Sequence, residues 1–266
     1  MLNPEFSLNA KSISRLSGKG LDSDTLRTQL DDDLDLTLEL WHSQGLELIK
    51  RLGYYYFATK FLPITEAEFC IVDIETNGSK IEKHQIIEIA AVKVKNSKII
   101  DRFESLVQCE KINEHITDIT GIRVEDTKDA PPIVEVLEKF KLFLGDTVFV
   151  AHDVKFDYKF ISLSLKKFGF SALLNRSLCS LGLAERTLQS YRYGLSYLNE
   201  YYELHPDATH HRAMSDVMTT YKLFVKSLEN LDPKVKTVEE LIKFSKEAKR
   251  LKRLKLDPLS EKEEEE

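Results

Sequence analysis

The segment from Phe69 to Gly78 reads FCIVDIETNG, an apolar, β-prone run that ends in two alternating acids. Side chains two positions apart on a strand point to the same face, so Asp73 and Glu75 are predicted to lie side by side. A second apolar run, IIEIAAV, covers residues 86–92. The pattern predicts two neighbouring strands with a pair of carboxylates at the end of the first.

A third strand and several helices follow along the chain. Asn96 and Ser97 are typical of a hairpin turn into a strand at residues 99–103, so three antiparallel neighbours are expected. A pair of prolines opens a helix that ends near Gly145, and a short buried strand comes next. The helix after that strand has an apolar stripe that consists of Phe156, Phe160 and Leu163. Strands mixed with covering helices, the last of which follows His211, predict an α/β fold.

The chain of 266 residues has room for this domain and for smaller flanking units. The α/β domain is predicted to cover residues 66–230. Residues 1–63 read as mainly helical and end in two short apolar runs around Gly53, like a hairpin. Helices followed by such a hairpin indicate a small winged-helix-like unit.

Residues 231–266 are predicted to form a C-terminal helix and a tail. Thr237 and Glu240 make a capping-box pattern at the start of the helix. Its apolar face is expected to run from Leu241 to Leu251. The helix is predicted to be basic, and the acidic end of the chain is predicted to be disordered.

The composition is that of a folded protein with no membrane or disulfide signature. Hydrophobic residues make up 42% and charged residues 31%, and 38 basic against 44 acidic residues give a net charge of −6. No run approaches the roughly 20 apolar residues that span a bilayer, and no signal peptide is evident, so we expect a cytoplasmic location without a membrane partner. Three cysteines without CxxC spacing predict free thiols. Such an acidic protein is expected to bind a polyanion only locally or through metal ions.

Two further acids and a histidine are predicted to lie near Asp73 and Glu75. Asp157 lies one turn into the helix that leaves the short buried strand, and ligand sites gather where strand ends meet helices. Asp216 and His211 lie at the start of the last helix. Each residue alone is more often structural, but four acids together supply the oxygen ligands that Mg²⁺ or Mn²⁺ prefers.

This set of residue types favours phosphodiester hydrolysis. Two divalent ions about 3.5–4 Å apart can stabilise both the attacking and the leaving oxygen of an in-line phosphoryl displacement. A histidine, whose unperturbed pKa is near 6.5, can accept the proton of the attacking water at neutral pH.

Three segments resemble the motifs of the DEDDh (DnaQ-like) 3′→5′ exonuclease family. They are FCIVDIETNG at residues 69–78, AHDVKFD at 151–157 and HRAMSD at 211–216. Within this family, the segments resemble those of the proofreading epsilon subunits of bacterial DNA polymerase III. The resemblance covers residues 66–230, and Arg212 stands where tyrosine-type relatives would have their tyrosine, which favours the histidine class.

The resemblance implies a fold, a reaction and a set of site residues. The fold is an RNase H-like mixed sheet flanked by helices, and the reaction is metal-dependent removal of 5′-mononucleotides from DNA 3′ ends, as proofreading beside a DNA polymerase III subunit. The implied ligands of two Mg²⁺ (or Mn²⁺) ions are Asp73, Glu75, Asp157 and Asp216, with His211 as general base. The implied substrate contacts are Thr76, Asn77, Gly78, His152 and Phe156.

Two positions depart from the family pattern. Asp153 replaces the usual asparagine and adds negative charge near a polyanionic substrate. Ser79 replaces the usual leucine or methionine and is a poor apolar wedge. An RNA-processing or repair exonuclease, and a binding module with a decayed site, are the alternatives to DNA proofreading.

Overall fold

The computed structural model describes residues 8–30 and 33–260 and confirms the mixed α/β architecture. An N-terminal unit with a small sheet precedes a larger part built on a five-stranded sheet. The predicted disordered acidic tail, residues 261–266, lies outside the described residues. Within the described ranges, no helix is long and apolar enough to cross a bilayer.

The N-terminal unit combines three helices with a three-stranded antiparallel sheet. Its elements are α1 (Ala10–Ser17), β1 (Leu21–Asp22), α2 (Ser23–Arg27), α3 (Leu34–Ser43), β2 (Leu48–Arg51) and β3 (Tyr54–Phe57), and the sheet order is β1-β3-β2. Leu52 and Gly53 have φ values of 49° and 82°, the left-handed conformation that a two-residue hairpin turn requires. This arrangement agrees with the winged-helix-like interpretation.

The larger part begins after a short 3₁₀ helix, Ala58–Lys60. Its strands are β4 (Glu68–Thr76), β5 (Ile86–Lys95), β6 (Lys98–Leu106), β7 (Val148–Ala151) and β8 (Ser177–Cys179). Its helices are α4 (Glu114–Thr120), α5 (Val124–Thr127), α6 (Ile133–Leu144), α7 (Lys155–Lys167), α8 (Ser180–Thr187), α9 (Leu195–Tyr202), α10 (Ala213–Glu229) and α11 (Val238–Glu247). The three cysteines are free, as predicted.

The sheet order β6-β5-β4-β7-β8 places β4 in the centre. β4 runs antiparallel to β5 and parallel to β7, and the predicted hairpin between β5 and β6 is present, with Asn96 and Ser97 at φ values of 47° and 57°. β4 is buried along most of its length because helices cover both faces of the sheet. The three predicted neighbouring strands are therefore confirmed.

Alternation along β4 assigns its side chains to two separate cores. Cys70 and Val72 pack with α6 and α7, whereas Phe69 and Ile71 pack with α10 and α11. The rings of Phe69 and Phe224 lie 5.0 Å apart in the second core. Since Asp73 shares the parity of Phe69 and Ile71, the strand directs it to the α10 side of the sheet.

The predicted apolar stripe of α7 is wrong in part. Phe156 is 43% exposed and Leu163 is only partly buried, although Phe160 is buried as expected. The helix instead turns Tyr158 inward, where its ring meets Phe149 and its hydroxyl donates to the Asn175 carbonyl, at 3.0 Å. These tertiary contacts rotate the buried face and leave the first turn of α7 open on one side.

The C-terminal helix has the predicted capping box of Thr237 and Glu240, but its predicted length is wrong. It ends at Glu247, and Leu251 is 41% exposed. The guanidinium of Arg186 donates to the carbonyls of Lys246 and Ala248, at 2.8 and 2.7 Å. These carbonyls are thus satisfied without another helical turn. The predicted basic character belongs to the segment after the helix, because the helix itself holds three glutamates and two lysines.

The N-terminal unit shares its core with the larger part. Leu174 is buried among the leucines of the N-terminal unit, and its N–H donates to the Gln44 carbonyl at 2.9 Å. The side chain of Asn175 donates to the carbonyls of Gly145 and Thr147. Gly45, which follows α3, packs directly against the Asn175 side chain. Asn175 therefore links the end of α3 to the residues just before β7.

Gly45→Ala is expected to destabilise the protein more than Gly53→Ala. Both glycines have left-handed φ values, +89° and +82°, where a Cβ costs about 1–2 kcal/mol. A Cβ at position 45 would also lie 2.3 Å from Asn175 Oδ1, whereas at position 53 nothing lies within 4 Å. Urea unfolding should therefore show an additional loss of about 1–3 kcal/mol for Gly45→Ala. Equal losses for the two variants would contradict the packing at this contact.

Candidate metal centre and nuclease site

The end of β4 carries the first two predicted acids. Asp73 pairs with Ala90 and Glu75 pairs with Glu88 on β5, and the register shifts immediately after Glu75. Both acids therefore lie on the α10 side of the sheet, near the point where the strand pairing becomes irregular. This placement leaves their carboxylates beside the first turn of α10.

Asp157 reaches the same edge from the neighbouring strand. β7 runs parallel to β4, so the carboxyl ends of the two strands lie at one edge of the sheet. The chain turns after Ala151 through Asp153, whose φ is +64°, and α7 begins at Lys155. Asp157 is buried in the first turn of this helix.

The segment before α10 bends tightly around Asp216. The N–H of His211 donates to Asp216 Oδ2 at 3.0 Å, and the His210 ring lies 3.2 Å from Asp216 Oδ1. His211 has a φ of +63°, a conformation that costs energy for a residue with a Cβ. The hydrogen bond to Asp216 helps to hold this backbone conformation.

These elements bring all five predicted catalytic residues into one cluster. Ring or carboxylate atoms of Glu75, His211 and Asp216 lie within 4.8 Å of one another. Asp73 and Asp157 lie outside that triplet, but Asp73 interacts electrostatically with both Asp157 and Asp216. The three sequence motifs therefore converge in space.

Burial and mutual repulsion raise the pKa values of three of the acids. Burial raises the pKa of Asp73 well above its usual range, and the charges of Asp157 and Asp216 raise it further. Burial, followed by the charge of Asp216, raises the pKa of Glu75 to about 8. Burial raises the pKa of Asp157 to about 7, although backbone hydrogen bonds oppose this shift. The cluster is electrostatically unfavourable without a counter-charge.

The donor set fits divalent cations. Carboxylate oxygens are the hard ligands that Mg²⁺ and Mn²⁺ prefer. Four carboxylate side chains lie at one edge of the sheet. A bound cation would offset the repulsion that raises the pKa values of Asp73, Glu75 and Asp157. The residues present therefore suit a metal site.

Glu88 is a buried acid of this region that the sequence prediction missed. The residue is 1% exposed, and its carboxylate accepts from the Ala213 N–H at 2.8 Å, at the first residue of α10. The Arg212 guanidinium also donates to it at 2.8 Å, and this contact raises the pKa of Arg212. Glu88 thus links β5 to the start of α10 and fixes where Asp216 lies. The sequence feature that could have indicated its role is its place as a single carboxylate within the apolar run IIEIAAV.

The loop after β4 uses the predicted substrate residues Asn77 and Gly78 in its own structure. Asn77 Oδ1 accepts from the Gln85 N–H at 2.8 Å, and Nδ2 donates to the Lys111 carbonyl at 2.9 Å. Gly78 has a φ of +151°, and a Cβ there would lie 2.5 Å from the His84 ring. Thr76 is buried at the end of β4. Asn77 and Gly78 therefore shape the loop beside the acids.

His152 joins three parts of the site. Nδ1 lies 3.0 Å from the Ser180 hydroxyl, and Nε2 lies 2.9 Å from the Tyr193 carbonyl. Since a carbonyl only accepts, we assign the proton to Nε2, and burial lowers the pKa of His152. A neutral ring with both nitrogens engaged is suited to positioning and not to proton transfer.

Phe156 is an exposed aromatic residue in the first turn of α7. It is 43% exposed, directly precedes Asp157, and lies 5.6 Å from the Phe160 ring. Asp153 and Ser79, the two departures from the family pattern, are both exposed. The exposed residues close in sequence to Asp157 therefore include an aromatic ring and an additional acid.

Curated relatives include the DNA polymerases III of PolC type. The protein from Caldanaerobacter subterraneus subsp. tengcongensis is 42% identical over 182 residues, which cover 66% of this chain and 13% of that protein. The protein from Staphylococcus haemolyticus is 38% identical over 170 residues, covering 63% of this chain and 12% of that protein. The chain thus spans about one eighth of the length of these relatives.

Solved structures with the same fold include two exonucleases. Exonuclease X in complex with 5′ overhanging duplex DNA has a TM-score of 0.53 and 24% identity, covering 66% of this chain and 99% of that one. E. coli exonuclease I in complex with a dA16 oligonucleotide has a TM-score of 0.55 and 15% identity, covering 64% of this chain and 42% of that one. At identities of 24% and 15%, these similarities show that the chain shares the fold of the two exonucleases.

A protein-family model, RNase_T, described as Exonuclease, matches residues 70–224. The match includes all five predicted catalytic residues and begins and ends within the five-stranded part. Exonucleases of this family generally use divalent metals. The chain therefore belongs to the RNase_T (DnaQ-like) exonuclease family, as its three acidic motifs predict.

Proposed function

We propose that this chain is a metal-dependent 3′→5′ exonuclease that releases 5′-mononucleotides from DNA 3′ ends. Proofreading in association with a DNA polymerase is the cellular role that its PolC-type relatives suggest. The observation that carries the proposal is the convergence of four acids and His211 at one edge of the sheet. A decayed site would not be expected to keep all five residues together.

Asp73, Glu75, Asp157 and Asp216 would hold the divalent ions. When bound, such ions supply Lewis-acid stabilisation of the attacking and leaving oxygens at phosphorus. The carboxylates must be ionised to act as ligands, and their raised pKa values make that state costly in the free protein. Metal affinity is therefore expected to depend on a tightly held arrangement of these side chains.

His211 is the proposed general base. Its side chain is exposed, and a ring nitrogen lies within 4.8 Å of carboxylate oxygens of Glu75 and Asp216. From there it can accept the proton of a water that attacks the terminal phosphodiester. His210 is less suited to this role because its ring contacts the Asp216 carboxylate.

The terminal nucleotide is proposed to lie between Phe156 and the loop that follows β4. The exposed ring of Phe156 offers a stacking surface for an unpaired base. Thr76, Asn77 and Gly78 form the opposite side. His152 positions Tyr193 and Ser180 near the scissile phosphate through its two hydrogen bonds.

Mg²⁺ or Mn²⁺ is expected to raise the melting temperature and to be required for hydrolysis. The folded-state pKa of Asp157, about 7, lies above the unfolded value of about 3.9. The metal-free protein should therefore lose stability as pH rises from about 4 to above 7, and metal should restore it. Melting curves and cleavage of a 5′-labelled single strand, in EDTA and in Mn²⁺, measure both effects.

Asp157→Asn provides the matched test of that electrostatic explanation. At pH 8 it should raise the melting temperature in EDTA, because it removes one repelling charge, and it should reduce the shift that Mn²⁺ causes. The control Asp146→Asn changes an exposed acid before β7 and should leave the Mn²⁺ shift unchanged. Undiminished hydrolysis in EDTA would rule out the metal mechanism.

His211→Asn is expected to lower kcat by about 10²- to 10⁴-fold, the usual cost of losing a positioned base. Asparagine tolerates the left-handed backbone at this position better than alanine does, so the change isolates the chemistry of the ring. Mn²⁺ affinity should stay near normal, whereas Asp216→Asn should weaken it. At saturating Mn²⁺, which keeps the carboxylates ionised, the wild-type rate is expected to rise with pH because a general base must be unprotonated, and this rise should disappear in His211→Asn.

Titration of Mn²⁺ against each variant, with pH–rate profiles, separates these roles. A strong loss of Mn²⁺ affinity in His211→Asn would assign the ring as a metal ligand. Near-normal turnover with an unchanged profile would move the base to another residue, with His210→Ala as the next variant.

Mispaired 3′ ends should be cut faster than paired ends, by roughly tenfold or more. A paired end must be unpaired before it enters the site, at a cost of a few kcal/mol that a mismatch lowers. Ser79 offers no apolar wedge for active separation. Primers with a terminal mismatch, an internal mismatch and full pairing make the comparison. Equal rates would contradict proofreading, and much faster degradation of short RNA would favour the RNA-processing alternative.

A further inference from the structure

The segment from Lys249 to Lys255 is a dense basic stretch that lies outside the family match. It reads KRLKRLK, so five of seven residues are basic in a chain of net charge −6. The segment follows α11, and no helix or strand is assigned to it. Its position is nevertheless well defined by contacts with α8 and with the loop at residues 188–193.

These contacts follow the three-residue repeat of the sequence. Arg250 and Arg253 both approach the carboxylate of Glu185, at 2.9 and 3.8 Å. The N–H groups of Leu251 and Leu254 donate to the carbonyls of residues 185 and 190, at 2.8 and 3.1 Å. In an extended chain with three residues per turn, every third side chain lies on the same side. The arginines therefore anchor the segment, and the lysines form a different side.

Lys249, Lys252 and Lys255 are all exposed. Within residues 8–30 and 33–260, none of them has an ion-pair partner, because nearby acids are already engaged. Glu185 contacts the two arginines, and Asp257 lies 3.7 Å from Arg192 and accepts from the Tyr197 hydroxyl at 2.5 Å. At about 3.1 Å per residue, successive lysines would be about 9 Å apart. We call these three residues the lysine row.

The segment that carries the lysine row is connected to the nuclease site by two direct contacts, the first of which Arg253 makes. The Arg253 guanidinium lies 5.5 Å from the centre of the Tyr193 ring. The Tyr193 carbonyl in turn accepts from His152 at 2.9 Å, one residue beyond β7. The segment therefore lies on the side of the site where His152 and Tyr193 meet.

Aromatic side chains extend along the same surface. Tyr191, Tyr197 and Tyr201 are partly exposed, with successive ring centres 6.4 and 6.2 Å apart. The guanidinium of Arg192 lies over the first two rings, at 5.5 and 5.8 Å. Cations together with aromatic rings are typical of surfaces that bind single-stranded nucleic acid, because the rings stack on bases of any sequence.

We propose that the lysine row and the neighbouring tyrosines bind the single-stranded tail of the substrate, on the 5′ side of the nucleotide that is removed. This inference rests on the proposed nuclease function and extends it to the nucleotides beyond the site. The lysines are free to contact phosphates because the arginines already neutralise Glu185. The local positive charge also compensates for Asp153 and for the acid cluster, which repel a polyanion.

The combined variant Lys249→Gln, Lys252→Gln and Lys255→Gln tests the proposal without disturbing the arginine anchors. The matched control removes three exposed lysines elsewhere, Lys11→Gln, Lys98→Gln and Lys234→Gln, so both variants lower the charge equally. Melting curves verify that both remain folded. The substrates are single strands of three and twelve thymidylates, dT3 and dT12, with free 3′-hydroxyl ends.

In the lysine-row variant, the KM for dT12 is expected to rise by about 10- to 100-fold at 0.1 M salt, with kcat unchanged. The KM for dT3 is expected to change little, because its few phosphates occupy the nuclease site itself. The slope of log(kcat/KM) against log salt for dT12 should fall by about 2, at roughly 0.7 per phosphate contact. Tyr191→Leu should raise the KM for dT12 by a factor that does not depend on salt.

Two results would overturn the proposal. One is an equal KM for dT12 in the lysine-row and control variants, which would leave the row available for another ligand such as an acidic protein surface. The other is a wild-type KM that is the same for dT3 and dT12. If the wild type cuts neither strand, the proposed nuclease function fails, and fluorescence anisotropy with labelled dT12 still tests the binding surface by itself.

Discussion

Four carboxylates crowded at one edge of a sheet repel each other, and the surrounding structure holds them in place against that repulsion. The opposing force is the packing of two hydrophobic cores, one on each face of β4. Phe69 and Ile71 belong to the core under α10, and the alternation of the same strand then presents Asp73 on that side. The apolar half of β4 thus stabilises the position of its acidic half.

The contact between Glu88 and the start of α10 is the second requirement. At the start of a helix, several backbone N–H groups have no intrahelical partner. The buried carboxylate of Glu88 accepts from one of them, the N–H of Ala213. Arg212 neutralises part of the charge that this arrangement buries. The site therefore uses one acid that fixes a helix and others that are available for metal ions. The two roles differ in their partners: Glu88 has an arginine, whereas the charges that act most strongly on Asp73 are those of other acids, Asp157 and Asp216 first.

The sequence predicted the parts of the structure that follow from local patterns. Strand alternation, the Asn96–Ser97 turn and the Thr237 capping box each depend on neighbouring residues and are present as predicted. The rotation of α7 and the end of α11 depend on distant groups, namely Tyr158 against Phe149 and Arg186 on the carbonyls of the last turn. No local pattern encodes those contacts. Likewise, the motif around His152 indicated a site, but not that both ring nitrogens are engaged.

The connection between the N-terminal unit and the sheet is not a hinge. The Ile64 N–H donates to the Lys236 carbonyl and the Val238 N–H donates to the Leu62 carbonyl, so the connection pairs with the start of α11. Arg176 binds Glu239 of that helix and also lies over the Phe57 ring of the N-terminal unit. Hydrogen bonds, an ion pair and a cation–π contact thus fix the connection, α11 and the sheet relative to one another. A partner that binds the N-terminal unit would consequently be held at a fixed distance and in a fixed orientation relative to the acids.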